Sequence, residues 1–292
     1  MGNVILAHPN HADDTTLTTV AYSKGSWLTA HPLNNLKSPF LYKVARSTSA
    51  SDEHSKFDVD LVASRDARIV AIPDHNLSIS ATIRVRGSNT ENDFSNPVID
   101  TGIVDVYETL YTYGELSWGH PSLWYGKING EDLAGYRQGW YVVFDRIYNA
   151  RYWRIEIADS GNVDGYIQLS RIFIAPGWQP ANVNIAYGSG HGFEDNSRRT
   201  KSLGGTNYID RREVYRTARL AFQDLEEDEG LENPHEIMRK LGTKDQLYFI
   251  WNPDDTIHKH RRAFLATMRS LSPIEYPHFD RVSVAFQLEE VL

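Results

Sequence analysis

Aromatic side chains provide the clearest candidates for ligand chemistry in this sequence. Trp118, Trp124 and Tyr125 lie in a stretch, residues 104–136, where rings are frequent and where Gly and Pro interrupt every regular pattern. Such rings stack on the apolar face of a pyranose while nearby polar groups bind its hydroxyls. Rings in a long loop also serve in a core or at an interface with another protein. The three residues are therefore candidate glycan contacts, with these two other roles left open.

Charged side chains form a second candidate site in the C-terminal third of the chain. A basic stretch, residues 198–219, is followed at once by an acidic run at 224–229. Opposite charges on two surfaces of one subunit guide head-to-tail assembly and fix its register. An ordinary polar surface explains the same residues. The candidate subunit interface comprises Arg198, Arg199, Arg211, Arg212, Arg216, Glu226, Glu227 and Asp228.

Catalytic and metal-binding chemistry finds little support. The absence of cysteine excludes thiol catalysis, cysteine-ligated zinc and disulfide bonds. His8 and His11, close to two aspartates, can be drawn as a metal site, although a flexible N-terminal arm explains them equally well. His258 and His260 lack a third ligand nearby in sequence, and the adjacent carboxylates of 224–229 seldom form a glycosidase pair. We therefore predict a protein that is not an enzyme and that uses no cofactor and no metal.

The composition is that of a soluble globular protein with a mainly β fold. The 292 residues are 41% hydrophobic and 23% charged, which is enough for one large or two ordinary domains. A net charge of -8 argues against specific binding to nucleic acid. The sequence contains no run of about 18 apolar residues, so it predicts no membrane span. The abundance of aromatic residues between turn signals favours strands over helices.

The strand pattern is clearest around Trp153. Trp153, Ile155 and Ile157 alternate with polar residues, which predicts a strand with one buried face and with Arg154 on the opposite face. The stretch at 166–174 predicts a second strand that pairs with it as a hairpin. Other short alternating segments, separated by turn residues, have the spacing expected of a sandwich or barrel.

A change of character after residue 178 divides the chain. Residues 188–201 are rich in Gly, Ser and charged side chains, which predicts a linker or mobile loop. The clearest helix is expected from Asn233 to Leu241, with Asn233 as its N-cap and Gly242 after its last turn. The predicted organisation is an N-terminal domain at 1–178, a linker at 179–201 and a C-terminal domain at 202–292.

Four strand motifs follow one another in the N-terminal part: F-D-V-D-L, I-V-A-I-P-D-H-N-L-S, A-T-I-R-V-R-G and Y-W-R-I-E-I. In this order they resemble the discoidin, or galactose-binding-like, jelly roll over residues 25–177. The resemblance implies a jelly-roll β-sandwich with an aromatic-rich insertion. Because that fold holds its ligands in variable loops, it specifies no ligand.

Motifs of the C-terminal part include S-L-G-G, Y-I-D-R-R, F-I-W-N-P-D-D and F-D-R-V-S-V-A-F-Q-L-E-E. Over residues 200–292 they resemble distal-tail and tail-tip proteins of long-tailed bacteriophages. The resemblance implies a tail-tube-like β-sandwich or barrel with one flanking helix, although the sandwich and ring domains come here in the reverse of the usual order.

The expected function is that of a structural virion protein. The resemblance implies a homo-oligomeric ring that connects the tail tube to the hub or baseplate, located in the phage tail after assembly in the host cytoplasm. The alternative function is that of a carbohydrate-binding module that aids adsorption by contacting a glycan of the host surface.

Overall fold

The computed structural model describes residues 3–14, 19–112, 114–120, 122–124, 126–128, 133 and 135–292. Strands account for 44% of the chain and helices for 9%. Most strands belong to two antiparallel sheets of seven strands each, which we call the N-terminal sheet and the C-terminal sheet. The predicted mainly β fold is confirmed.

The strands and helices have the following bounds. The first ten strands are β1 (Ile5–Ala7), β2 (Ala21–Ser23), β3 (Ala45–Arg46), β4 (Phe57–Ile72), β5 (Thr82–Ser88), β6 (Ile99–Asp100), β7 (Val104–Asp105), β8 (Trp140–Ala158), β9 (Gln168–Leu169) and β10 (Phe173–Ala175). The others are β11 (Gly190–Asp195), β12 (Arg198–Lys201), β13 (Asn207–Asp210), β14 (Val214–Glu226), β15 (Gln246–Ile250), β16 (Ala263–Leu271), β17 (Glu275–His278) and β18 (Arg281–Glu290). The helical segments are a 3-10 turn (Leu33–Lys37), α1 (Asp52–Ser55), α2 (Glu227–Gly230), a π-helical turn (Leu231–His235) and α3 (Glu236–Leu241).

The strand order places β4 and β8 at the centre of the N-terminal sheet. This sheet has the order β10-β4-β8-β5-β6, with β2 also paired to β4 and β7 to β5. The C-terminal sheet has the order β1-β15-β16-β18-β14-β11, with β17 also paired to β18. The expected hairpin between β8 and residues 166–174 is wrong, because β4 and β5 already occupy both sides of β8. The strands in that stretch, β9 and β10, pair instead with β3 and β4.

The central strand β8 has the register that its sequence predicts. Trp153 lies opposite Val59 and is fully buried, as are Ile155 and Ile157 on the same face. Arg154 points to the other face, where its guanidinium binds both carboxylate oxygens of Asp58 at 2.7 Å. Period-two alternation therefore identified the buried face correctly.

Several strands are buried on both faces, among them β4 and β15, and they hold the two sheets together. In β4, Val70 and Ile72 face the core of the N-terminal sandwich, whereas Ile69 and Ala71 face the C-terminal sheet. In β15, Leu247 and Phe249 face the core between the C-terminal sheet and α3, whereas Tyr248 and Ile250 face the core that the two sheets share. A continuous apolar run without alternation is typical of such a doubly covered strand. The two sheets are thus joined by a core of their own.

The chain crosses between the two sheets in ways that the predicted domain division does not anticipate. The N-terminal strand β1 belongs to the C-terminal sheet, where Ile5 lies opposite Ile250. The second half of the predicted linker also forms strands, because β11 pairs with β14 and β12 pairs with β13. These strands are at the surface, which is why their sequence is polar and glycine-rich. The division into independently folding domains stays a prediction.

The predicted flanking helix is present but begins earlier than expected. The helical run starts at Glu227, so Asn233 lies inside the π-helical turn and does not cap the helix. The C-terminal end is as predicted, since Gly242 has a positive φ and its N–H donates to the carbonyl of Met238 at 2.9 Å. Ile237, Met238 and Leu241 pack on the C-terminal sheet.

Candidate functional site

The aromatic-rich insertion between β7 and β8 is anchored by part of its own apolar residues. Tyr107, Ile128 and Leu133 are buried in the core of the N-terminal sandwich. The Tyr107 hydroxyl donates to Oε1 of Gln138 at 2.8 Å, and its ring meets His75 edge to face at 6.1 Å. Burial raises the pKa of Tyr107, so this hydroxyl remains a proton donor at neutral pH. For this ring, the core role left open by the sequence is the observed one.

Trp118 and Trp124 behave differently from these anchors. Their side chains are 86% and 76% exposed, respectively. The two indoles meet edge to face, with ring centroids 5.9 Å apart and an interplanar angle of 71°. The two rings therefore support each other while both residues remain largely exposed, which forms a corner of two apolar surfaces. Tyr125, the third candidate glycan contact, lies outside the described residues.

Short turns hold the two tryptophans together. The N–H of His120 donates to the carbonyl of Ser117 at 3.1 Å, and the N–H of Leu123 donates to the carbonyl of His120 at 3.0 Å. The His120 ring accepts a hydrogen bond at Nδ1 from the N–H of Ser122 at 3.1 Å. The Ser122 hydroxyl is buried and has no hydrogen-bonding partner among the described residues. His120 and Ser122 thus add polar groups beside the rings that sequence reasoning did not single out.

The basic candidates fall into two environments. Arg198, Arg199, Arg211 and Arg212 are exposed on or beside a projecting hairpin, residues 196–213, which we call the basic arm. This arm also exposes large apolar side chains, since Leu203 has no cover and Tyr208 is mostly in solvent. Its sequence contains five Arg or Lys residues and two Asp or Glu residues.

Arg216 was assigned to the interface wrongly, because it is buried inside the subunit. Only 5% of this residue is exposed, and its guanidinium forms a bidentate ion pair with Glu290. It also donates to the carbonyls of His260 and Ala263, at 2.8 and 3.1 Å. The parity of β14 contained this information: Ala218 and Leu220 point inward, and so must residue 216.

The acidic candidates lie at the end of β14 that is far from the basic arm. Glu226 and Asp228 are exposed and Glu227 is half-buried, in and beside α2. Glu226 forms a loose ion pair with Arg281, at 3.9 Å. Because β14 has 13 residues, its two ends are separated by about 40 Å. The basic arm and the acidic turn therefore do not meet within one subunit.

The histidine pairs do not assemble a metal site in the structure. Within the described parts of the chain, no group of three or more His, Cys, Asp or Glu side chains is placed to hold a metal ion. Burial, with a smaller contribution from Lys240, lowers the pKa of His8 to about 4, so its ring is neutral at pH 7. None of the described helices is long and apolar enough to cross a membrane.

Comparison with known proteins gives similarity only at the level of structure. No family model matches the sequence, and no curated protein matches it. The chain is similar to CBM32-1 from a family 31 glycoside hydrolase of Clostridium perfringens, with 9% identity and a TM-score of 0.34 over 53% of this chain and 93% of that one.

Two further similar structures are a lectin domain and a binding module. The lectin domain of lectinolysin, complexed with Lewis B antigen, shares 15% identity at a TM-score of 0.37, over 60% of this chain and 99% of the other. A fucose binding module of Streptococcus pneumoniae shares 16% identity at a TM-score of 0.36, over 57% and 95%. Similarity at this level does not identify a ligand for this chain.

Proposed function

We propose that the protein binds carbohydrate through the corner formed by Trp118 and Trp124. The observation that carries this proposal is the exposure of two large, mutually supported indoles on a loop in which Tyr107, by contrast, is buried. Large aromatic surfaces that remain open to water commonly mark binding sites. The alternative function considered for the sequence is therefore the one that the geometry supports best.

The corner offers a physical basis for binding sugar without catalysis. One indole face stacks on the apolar face of a pyranose, and the second indole flanks the same ring. Covering about 100 Å² of apolar surface contributes roughly 2.5 kcal/mol to binding. The His120 ring lies in the same turn and still has its Nε2 to offer a sugar hydroxyl, since its Nδ1 accepts from the N–H of Ser122.

A glycan array tests this proposal. We expect the wild-type protein to bind a defined subset of glycans and the Trp118→Ala and Trp124→Ala variants to lose that binding. Tyr42→Ala provides a matched control, since Tyr42 is another exposed ring, in the segment before β3. Retention of all glycan signals in both tryptophan variants would remove the corner from the account.

A structural role in a phage tail tip remains the second candidate, supported by the charged surfaces. Complementary surfaces at opposite ends of β14 suit head-to-tail contact between copies, and a head-to-tail contact closes into a ring when its rotation allows. In this proposal the ring connects tail tube and hub within the virion after assembly in the host cytoplasm. Electron microscopy of the purified protein tests it: rings support the structural role, and monomers at all concentrations argue against it.

A further inference from the structure

A cleft of about 440 Å³ lies where the N-terminal and C-terminal sheets meet. Its walls come from both parts of the chain, with Arg68 of β4 on one side and Glu232 of the π-helical turn among the residues of the other. His8 and Trp178 line it as well. The cleft shares no residue with the corner of Trp118 and Trp124.

The apolar wall of the cleft is held rigidly by the crossing of the chain between the sheets. Gly177 has a φ of +69°, and a Cβ at this position would approach Cδ1 of Ile69 to 2.6 Å. Only glycine allows so close a passage, which fixes the position of the next residue. The indole N–H of Trp178 donates to Oε1 of Glu229 at 3.2 Å, and its ring packs edge to face on Phe222 at 5.1 Å.

The polar side chains of the cleft have unused hydrogen-bonding capacity. The Nε of Arg68 donates to the carbonyl of Phe144 at 3.4 Å, but its two terminal nitrogens have no partner among the described residues. The carboxylate of Glu232 also has no hydrogen bond or ion pair among the described residues. Arg68 and Glu232 line the same cleft. Both ring nitrogens of His8 are buried without a partner. Arg68 is half-buried and Glu232 is exposed, so both are accessible to a ligand that enters the cleft.

We propose that this cleft binds a neutral mono- or disaccharide. A sugar hydroxyl accepts from a guanidinium and donates to a carboxylate, so one polyol satisfies Arg68 and Glu232 together. The His8 ring, which is neutral, and the Trp178 indole line the cleft without adding a charge. A free anion would face the carboxylates of Glu232 and Glu236, and a free cation would face Arg68 and Lys240.

The size of the cleft agrees with this class of ligand, since small-molecule sites occupy about 300–1,000 Å³. The inference rests on the proposed function for the general class of ligand and adds a second, separate site to it. The two sites are distinguished by which tryptophans respond to sugar, because Trp178 belongs only to the cleft.

The test is an NMR titration of protein labelled with ¹⁵N at its seven tryptophans. Each indole signal is assigned with a single Trp→Phe variant, and glucose, galactose, N-acetylglucosamine, lactose, maltose and cellobiose are added in turn. We expect at least one of them to shift the Trp178 signal in a saturable manner. The shift should persist in the Trp118→Ala/Trp124→Ala double variant. Absence of any Trp178 shift overturns the cleft site, whatever Trp118 and Trp124 do.

Substitutions in the cleft complete the test. Arg68→Ala and Glu232→Gln should each weaken the Trp178 response about tenfold, because each removes hydrogen bonds to a charged group. Arg65→Ala, on the same strand, and Asp228→Asn, in α2, are matched exposed controls and should leave it unchanged. Circular dichroism verifies that each variant is folded. If Arg68→Ala does not fold, Glu232→Gln alone tests the cleft. A Trp178 shift that is unchanged by both cleft substitutions overturns the proposal. A Trp178 shift caused by free glycine, a small zwitterion added as a control, and by none of the sugars also overturns it.

Discussion

Removal of the Arg216 guanidinium tests whether this residue stabilises the subunit or serves an interface. In Arg216→Ala, the Glu290 carboxylate remains buried and loses the donors Nε and Nη2 of its partner. The carbonyls of His260 and Ala263 lose a donor as well. Breaking one side of a buried ion pair costs about 3–5 kcal/mol, so we expect a loss of that size in the free energy of unfolding.

Chemical denaturation followed by circular dichroism measures this loss. Arg212→Ala is the matched control, because its ion pair with Asp210 is exposed and long, at 3.5 Å, and should contribute less than about 1 kcal/mol. The double variant Arg216→Met/Glu290→Leu, which removes both charges, should recover most of the loss. Equal, small effects of Arg216→Ala and Arg212→Ala would refute the reasoning and return Arg216 to the surface.

Three further predictions concern the core, a buried histidine and the basic arm. Trp153→Ala should lower the free energy of unfolding by about 3–5 kcal/mol in urea denaturation, because the ring is fully buried and stacked on Phe144; a loss below 1 kcal/mol would contradict its packing. His8 has a lowered pKa of about 4, so the folded state resists its protonation. The free energy of unfolding of the wild type, relative to that of His8→Asn, should be constant above pH 7 and fall by up to roughly 3 kcal/mol between pH 6.5 and 4. A relative free energy that does not vary with pH would exclude the burial of His8. If the arm mediates assembly, Arg211→Glu/Arg212→Glu and high salt should both reduce the mass found by light scattering without changing the circular dichroism spectrum, whereas an unchanged mass would argue against the arm.

Local patterns predicted the strands well because alternation reports directly which side chains are buried. The register around Trp153 follows from period two alone. The continuous apolar runs at 69–72 and 247–250 are likewise typical of buried strands. Neither run states which sheet covers its second face, because that partner lies far away along the chain. The core between the sheets was therefore invisible to sequence reasoning.

Long-range pairing explains the remaining errors. The pairing of β1 with β15 joins Ile5 to Ile250, and no local signal in a three-residue strand specifies such a partner. The polar residues at 190–195 suggested a linker, whereas they form an edge strand that needs no fully apolar face. Arg216 is different, since the parity of β14 was sufficient to place it inside.

The candidate glycan site was predictable in part. The ring types of Trp118 and Trp124 suggested stacking, but their exposure depends on the way Tyr107, Ile128 and Leu133 anchor the insertion. The sequence therefore supplied the chemistry of the corner, and only the packing of the loop showed which rings face solvent.

Titration of the protein with a glycan selected on the array, followed by calorimetry, tests the central claim most directly. We expect saturable binding by the wild type, equal binding by Tyr42→Ala, and a loss of affinity of roughly eightfold in Trp118→Ala and in Trp124→Ala, since each removes about half of the apolar contact. Affinity that is unchanged in the Trp118→Ala/Trp124→Ala double variant, with the fold intact by circular dichroism, would contradict the assignment of these two indoles as the sugar-binding surface.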